Sequence, residues 1–196
     1  YIFNIGPETI PNRVPYLSAD KGLSQIWKRR FRPEPLLKIG VVWAGSTVHK
    51  NDMNRSVMLS RFAGLARTEG VALYSLQKDK VEKWTDAAPE DIFVQDFGDE
   101  VSDFADTAAV MDHLDLVISV DTAVVHLAGA MAKEVWVLLP FSPDWRWMLD
   151  RTDSPWYPTM TLFRQPAPGD WDTVFNTVAQ TLTQWLNQKK SEKTHE

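Results

Sequence analysis

The chain has 196 residues, 44% of them hydrophobic and 24% charged, with a net charge of -5. That composition suits a globular domain with a real core, and the acidic balance argues against general nucleic-acid binding, which needs a basic face. Without cysteine there is neither disulfide nor thiolate site, which favours a cytoplasmic setting, and no apolar run approaches the ~20 residues of a membrane span.

Residues 1–17 carry Pro7, Pro11 and Pro15 and predict an extended arm. The chain opens at Tyr1 rather than Met, and its first residues read as the end of something. Residues 1–33 are therefore expected to be a linker and helix from a missing amino-terminal domain. Residues 18–31 predict the helix, with Ser18 as its cap, ending before Arg32-Pro33-Glu34-Pro35.

A regular alternation follows. Strands are predicted at 38–44, 71–76, 91–95, 115–120, 134–139 and 160–163, and helices at 60–68, 79–87, 103–113, 122–132 and 144–150. A last helix spans 170–188 behind the turn Pro168-Gly169-Asp170, and 189–196 read as a loose polar tail. Short apolar strands alternating with helices mean an α/β Rossmann-like domain over 34–188: a parallel sheet of about six strands with helices on both faces. Ligands of such sheets collect at the carboxyl ends of the strands.

The most informative stretch is Leu116-Val-Ile-Ser-Val-Asp-Thr-Ala-Val-Val-His126. A buried strand turns without pause into a helix rich in small residues, with the helix-start residues Asp121 and Thr122 at the joint. The free amides of the first turn, from Thr122 through Ala123 and Val124, make an anion site suited to the diphosphate of a nucleotide-linked substrate. His126, one turn in, is placed to donate to a phosphate oxygen; His113 reads as structural. Ala128, Gly129 and Ala130 let the helix lie close to the sheet.

Two other loops share that rim. After Trp43 come Gly45, Ser46 and Thr47, offering backbone and hydroxyl donors, and then Lys50 and Arg55, which can neutralise phosphate charge. The alternative is a solvated loop whose cations pair with Asp52. After Leu76, Gln77 and Lys78 either reach a ribose, base or phosphate or form a plain turn. Asp96-Phe97 follows the third strand, and Phe97 is a candidate for stacking on a base. Asp103 reads as the cap of a scaffold helix.

Nine tryptophans is a high count, and Trp145, Trp147 and Trp156 cluster between prolines. They read either as an aromatic wall for a sugar or base or, preferably, as a loop packing itself on the domain. Absent motifs narrow the choice. No G-x-G-x-x-G follows the first strand, no phosphate-binding G-x-x-x-x-G-K-[ST] occurs, and no G-x-S-x-G elbow is present. Asp170-Trp-Asp172 is better read as a helix cap than as a metal site, and four histidines without neighbouring ligands suggest no zinc.

Lys38-Ile-Gly-Val-Val-Trp-Ala-Gly45, Asn54-Arg-Ser56, Ser75-Leu-Gln-Lys78, Asp103-Phe-Ala-Asp106 and Ser119-Val-Asp-Thr122 with His126-Leu-Ala128 form an ordered set. It continues with Trp136-Val-Leu-Leu-Pro140, Asp144-Trp-Arg-Trp147 and Ser154-Pro-Trp-Tyr-Pro158. Over residues 11–185 the set resembles the carboxyl-terminal half of bacterial heptosyltransferase-like glycosyltransferases, often found fused behind tetratricopeptide repeats. It is more distantly similar to the protein O-linked N-acetylglucosamine transferases.

The resemblance implies the donor-binding domain of a two-domain GT-B enzyme that is inverting and metal-independent. Its substrate would be an ADP- or UDP-linked sugar, with no further cofactor. The missing domain would supply the acceptor site and the base. Asp121, Thr122, Ala123, Val124 and His126 match the family's D-T-G-L-x-H motif, with Ala123 where glycine is usual. Ser46 and Thr47 match the phosphate loop, Arg55 or Lys50 its cation, and Arg55 with His126 would stabilise the leaving group. The last helix would brace the other domain, with Trp185 as a contact. The chain alone is then expected to bind nucleotide weakly and to transfer no sugar. The competing readings are a non-catalytic binding module and, behind it, a nucleotide-sugar epimerase.

Overall fold

The computed structural model describes residues 6–33, 36–78, 84–85 and 94–194. Six strands form one all-parallel sheet: β1 (Leu37–Val42), β2 (Val71–Ser75), β3 (Val94–Asp96), β4 (Leu116–Val120), β5 (Val135–Leu139) and β6 (Met160–Arg164). Their order is β3-β2-β1-β4-β5-β6, so the winding reverses between β1 and β4. That reversal opens a crevice at the carboxyl ends of the two central strands, where α/β sheets bind ligands.

The sheet is covered on both faces because its strands alternate between two cores. Ile39, Val41, Ile118, Val120, Trp136 and Leu138 point to one face. Against them lies α6 (Trp171–Thr194), through Trp171, Val174, Val178, Leu182 and Trp185. Val42, Val117, Val135, Val137 and Leu139 point to the other. That face is covered by α1 (Lys21–Lys28), α4 (Phe104–Met111) and α5 (Ala123–Ala130). Close approach of α5 depends on its small residues. A Cβ at Gly129 would run into Met160 and Tyr157.

Several local expectations shift. Asp20, not Ser18, caps α1, its Oδ1 accepting the Leu23 amide at 2.8 Å. The helix expected at 60–68 divides into a 3-10 turn, Leu59–Phe62, and the single turn α3 (Ala63–Ala66). That expected at 144–150 is only the 3-10 turn Trp145–Trp147, capped by Asp144. In both, bulky aromatic residues hold the segment down by burying Phe62 and Trp147, with no long amphipathic face to propagate a helix. The predicted helix at 79–87 and residues 91–93 lie outside the described residues, except Trp84 and Thr85.

From residue 6 to 17 the chain holds a 3-10 turn at Pro7–Thr9 and then reaches the end of α5, where the Tyr16 and Leu17 amides donate to the Ala130 carbonyl. At the other end α6 continues to Thr194, through the polar residues expected to be loose. Among the described residues no helix is long and apolar enough to cross a membrane.

Candidate functional site

The β4–α5 joint forms as its residues demand. Thr122 holds an extended N-cap conformation (φ -142°, ψ 173°), yet no side chain caps the helix. Thr122 Oγ1 lies 3.3 Å from Ser119 Oγ instead. The first-turn amides of α5 therefore open into the crevice with the positive end of the helix dipole. Asp121, paired with Thr122 in the sequence reading as a helix-start residue, sits one residue before the cap; its carbonyl accepts Arg55 Nη1 at 2.8 Å.

Arg55 closes the short helix α2 (Asp52–Arg55) and crosses from the β1 loop to the β4 loop. Its other arm reaches the Ser46 carbonyl at 3.4 Å. The side chain is 11% exposed, and Nε stays 3.9 Å from Asp52 Oδ1, too far for a hydrogen bond. Behind it Asp52 is buried and satisfied by neutral donors: Ser56 Oγ donates to Oδ1 at 2.7 Å and Trp84 Nε1 to Oδ2 at 3.2 Å. Ser56 Oγ in turn accepts the Gly45 amide at 3.1 Å. This chain of contacts fixes the loop after β1, with Arg55 ion-paired to Asp52 as the alternative sequence reading expected, while the guanidinium also lines the crevice.

Two unlike lobes meet under Arg55, Thr122 and Ala123. One, of about 580 Å³, has an apolar wall of Val42, Leu76, Val101, Phe104 and Val124, with Gly45, Ser46, Thr47, Gln77 and Lys78 along its other side. The second, of about 370 Å³, is lined by His49, Asp121, His126, Asp144 and Arg146. An amphipathic ligand with a charged middle has a matching surface in each part.

His126 stacks on buried Trp147, ring centroids 5.3 Å apart. Burial holds its imidazole below the ordinary value, aided by Arg146 and opposed by the Asp121 and Asp144 carboxylates. Near neutral pH it is an uncharged ring. Burial pushes the Asp144 carboxyl up, but hydrogen bonds from the Arg146 amide and guanidinium outweigh this and hold it below its ordinary value.

The structure gathers Gly45, Ser46, Thr47, Arg55, Gln77, Lys78, Thr122, Ala123 and Val124 into the first lobe and Asp121 and His126 into the second. Four of the residues assigned from sequence sit otherwise than expected. Phe97 is wholly buried and stacks on Tyr74 at 5.5 Å, so it belongs to the core and not to a base site. Lys50 is exposed and lines neither lobe, whereas Arg55 lines both. Gln77 touches the lobe, but its Oε1 accepts the Trp43 and Ala44 amides at 3.1 and 2.9 Å and its Nε2 donates to the Lys78 carbonyl. It braces the β1 end. Lys78 Nζ likewise donates to the Ser102 carbonyl.

Sequence reading missed Val101, Phe104, His49, Asp144 and Arg146. Asp103, which caps α4 through the Ala105 and Asp106 amides, was the available signal: it puts Phe104 on an exposed first turn. None of Trp145, Trp147 and Trp156 lines either lobe. Trp147 packs the loop down, while Trp145 is 67% exposed with Arg146 over its ring. Trp185 is buried against Trp136, inside this domain. Among the described residues no group of three or more His, Asp or Glu side chains is placed to hold a metal ion.

No protein-family model matches the chain. The protein FlbA of Caulobacter vibrioides is 27% identical over 182 residues, covering 89% of this chain and 30% of FlbA. Among solved structures, the ADP-heptose LPS heptosyltransferase II of E. coli superposes with a TM-score of 0.62 at 14% identity, over 92% of this chain and 56% of that one. The chain shares its fold with the matched part of the heptosyltransferase. The chain spans a little over half of that heptosyltransferase's length and under a third of FlbA's.

Proposed function

We propose that this chain is the donor-binding domain of a heptosyltransferase-like, inverting glycosyltransferase of GT-B design, and that its ligand is a nucleotide-diphosphate sugar. The observation that carries this reading is the meeting of two chemically unlike lobes at the uncapped amino end of α5, beneath Arg55. The nucleoside occupies the apolar lobe, the diphosphate the α5 amides, and the sugar the polar lobe of His126, Asp144 and Arg146. The heptosyltransferase of the same fold has an ADP-linked sugar in its name, and ADP and UDP are the nucleotides to test first.

As the sugar–phosphate bond breaks, negative charge grows on the diphosphate. The Ala123 and Val124 amides and the Arg55 guanidinium are held in place before the reaction, so they stabilise that charge without reorganisation. Neutral His126 donates one further hydrogen bond. In this reading no metal is required, since the amides and the guanidinium take the charge. The acceptor hydroxyl and the base that activates it come from another domain, so this chain by itself transfers no sugar.

The test is calorimetric titration of the chain with ADP, UDP, GDP and inorganic pyrophosphate. Binding of a nucleoside diphosphate that weakens on Arg55→Ala supports the reading. No binding of any nucleotide or of pyrophosphate would leave the domain as an interaction module.

A further inference from the structure

Phe104 is the odd residue of the apolar lobe. It is a large aromatic ring, 60% exposed, on the first turn of α4, and it joins neither hydrophobic core. Nothing in the packing of the domain needs it there. Yet it lines the lobe, together with Leu76, Val101 and Val124.

Apart from Asp103 Oδ2 and the Ser46 and Thr47 hydroxyls of the loop after β1, the polar side chains of the lobe are already committed. Asp103 Oδ1 accepts two helix amides and Thr107 Oγ1 donates to the Asp103 carbonyl. Lys78 and Gln77 are held by backbone groups. The lobe therefore offers a flat aromatic face and aliphatic walls, and few free side-chain groups to read the edge of a ring. A planar heterocycle satisfies such a surface by stacking, which is tolerant of ring identity because every base has a π-face.

We propose that Phe104 is the platform on which the nucleobase stacks, and that the site recognises the base by its face and not by its edge. This rests on the nucleotide-sugar reading above. Phe104 takes the role that sequence pattern gave to Phe97.

The experiment compares the chain with Phe104→Ala and Phe104→Trp, titrating each with ADP, UDP and inorganic pyrophosphate, with circular dichroism as the check on folding. Phe104→Ala is expected to weaken ADP and UDP by roughly 5- to 100-fold and to leave pyrophosphate unchanged, since pyrophosphate needs only the α5 end and Arg55. Phe104→Trp is expected to bind both nucleotides as well as the unaltered chain or better. Unchanged ADP and UDP binding by Phe104→Ala would overturn the platform while leaving the nucleotide-sugar reading in place. So would an equal loss for pyrophosphate, which would mark a merely structural role. Discrimination of about 10⁴ between ADP and UDP, the mark of hydrogen-bonded edge reading, would overturn recognition by the face. Failure of the unaltered chain to bind any of the three would overturn the functional reading and this inference with it.

Discussion

Gly45 and Arg55 occupy one another's space: a Cβ added at position 45 would fall inside contact distance of the Arg55 guanidinium at Nη2, Cζ and Nε together. The glycine is there to let the arginine lie across the loop and reach the Ser46 and Asp121 carbonyls. Gly45→Ala is therefore expected to expel the guanidinium and to destabilise the chain by about 1–3 kcal/mol, the usual cost of overpacking. Its effect on ADP affinity should be absent once Arg55 is already alanine, because the two substitutions remove the same arrangement. A double-mutant cycle in melting temperature and binding checks this; additive effects would separate the two residues.

Arg55 itself carries the charge argument. In the full-length protein Arg55→Ala should lower turnover by roughly 10²–10³, the usual effect of losing one preorganised donor at a developing negative charge. Arg55→Lys should recover little, since an ammonium cannot hold two carbonyls from two loops in a fixed fork. Steady-state rates of sugar transfer by the three proteins decide it, and unchanged turnover in the alanine variant would remove Arg55 from the chemistry.

The legible parts of this protein were those that depend on local sequence. Leu116–Val120 is buried on both sides, with Ser119 its one polar residue, because both faces of β4 are covered, and the small residues after Thr122 fit a helix pressed against the sheet. What escaped depends on distant contacts. Phe97 and Phe104 each follow an aspartate at the boundary of an element, and nothing local tells them apart. The difference is that the Phe97 amide donates to the Ser75 carbonyl and its ring meets Trp27 and Phe31, far away in sequence. Arg146 and Asp144 escaped for the same reason: the loop after β5 reaches the α5 end only once the sheet is assembled.

Gln77 is placed to be mistaken for a ligand contact. Replacing it by leucine would strand the Trp43 and Ala44 amides in a buried setting, and an unsatisfied buried group costs about 1–3 kcal/mol. Gln77→Leu should thus lower the melting temperature clearly. Nucleotide affinity should fall only through disorder of the loop after Trp43. A large loss of ADP affinity with an unchanged melting temperature would restore Gln77 to the binding surface.

Ser24 ties α1 to α4 far from the crevice: its Oγ donates to Asp112 Oδ2 at 2.6 Å and lies 2.9 Å from His113 Nε2. Ser24→Ala removes one hydrogen bond from the exposed Asp112 carboxylate, while His113 Nε2 keeps the Ser24 carbonyl at 2.8 Å. The expected cost is that of one ordinary hydrogen bond, about 0.5–1.5 kcal/mol, read by denaturant unfolding. ADP and pyrophosphate titrations should be unaltered, and any weakening there would connect α1 to the site.

His126 gives the domain a pH dependence whose sign follows from its burial. In the unfolded chain the imidazole titrates near its ordinary value of 6.5, and in the folded protein burial holds it lower. Between those two values the unfolded state binds more protons, so stability rises with pH across the window and is lost as pH falls below 6.5 toward the folded value. Asp121 and Asp144 narrow the window by favouring the charged ring, while Arg146 widens it. His126→Asn has no proton to gain and should escape this acid-side loss, although it gives up the stacking on Trp147. Melting temperatures of the two proteins between about pH 8 and about pH 5 test the point, other titrating groups being common to both. The unaltered chain should fall faster on acidification. Parallel curves would mean that His126 titrates alike in the folded and unfolded states, and that the polar lobe holds an ordinary, solvated imidazole.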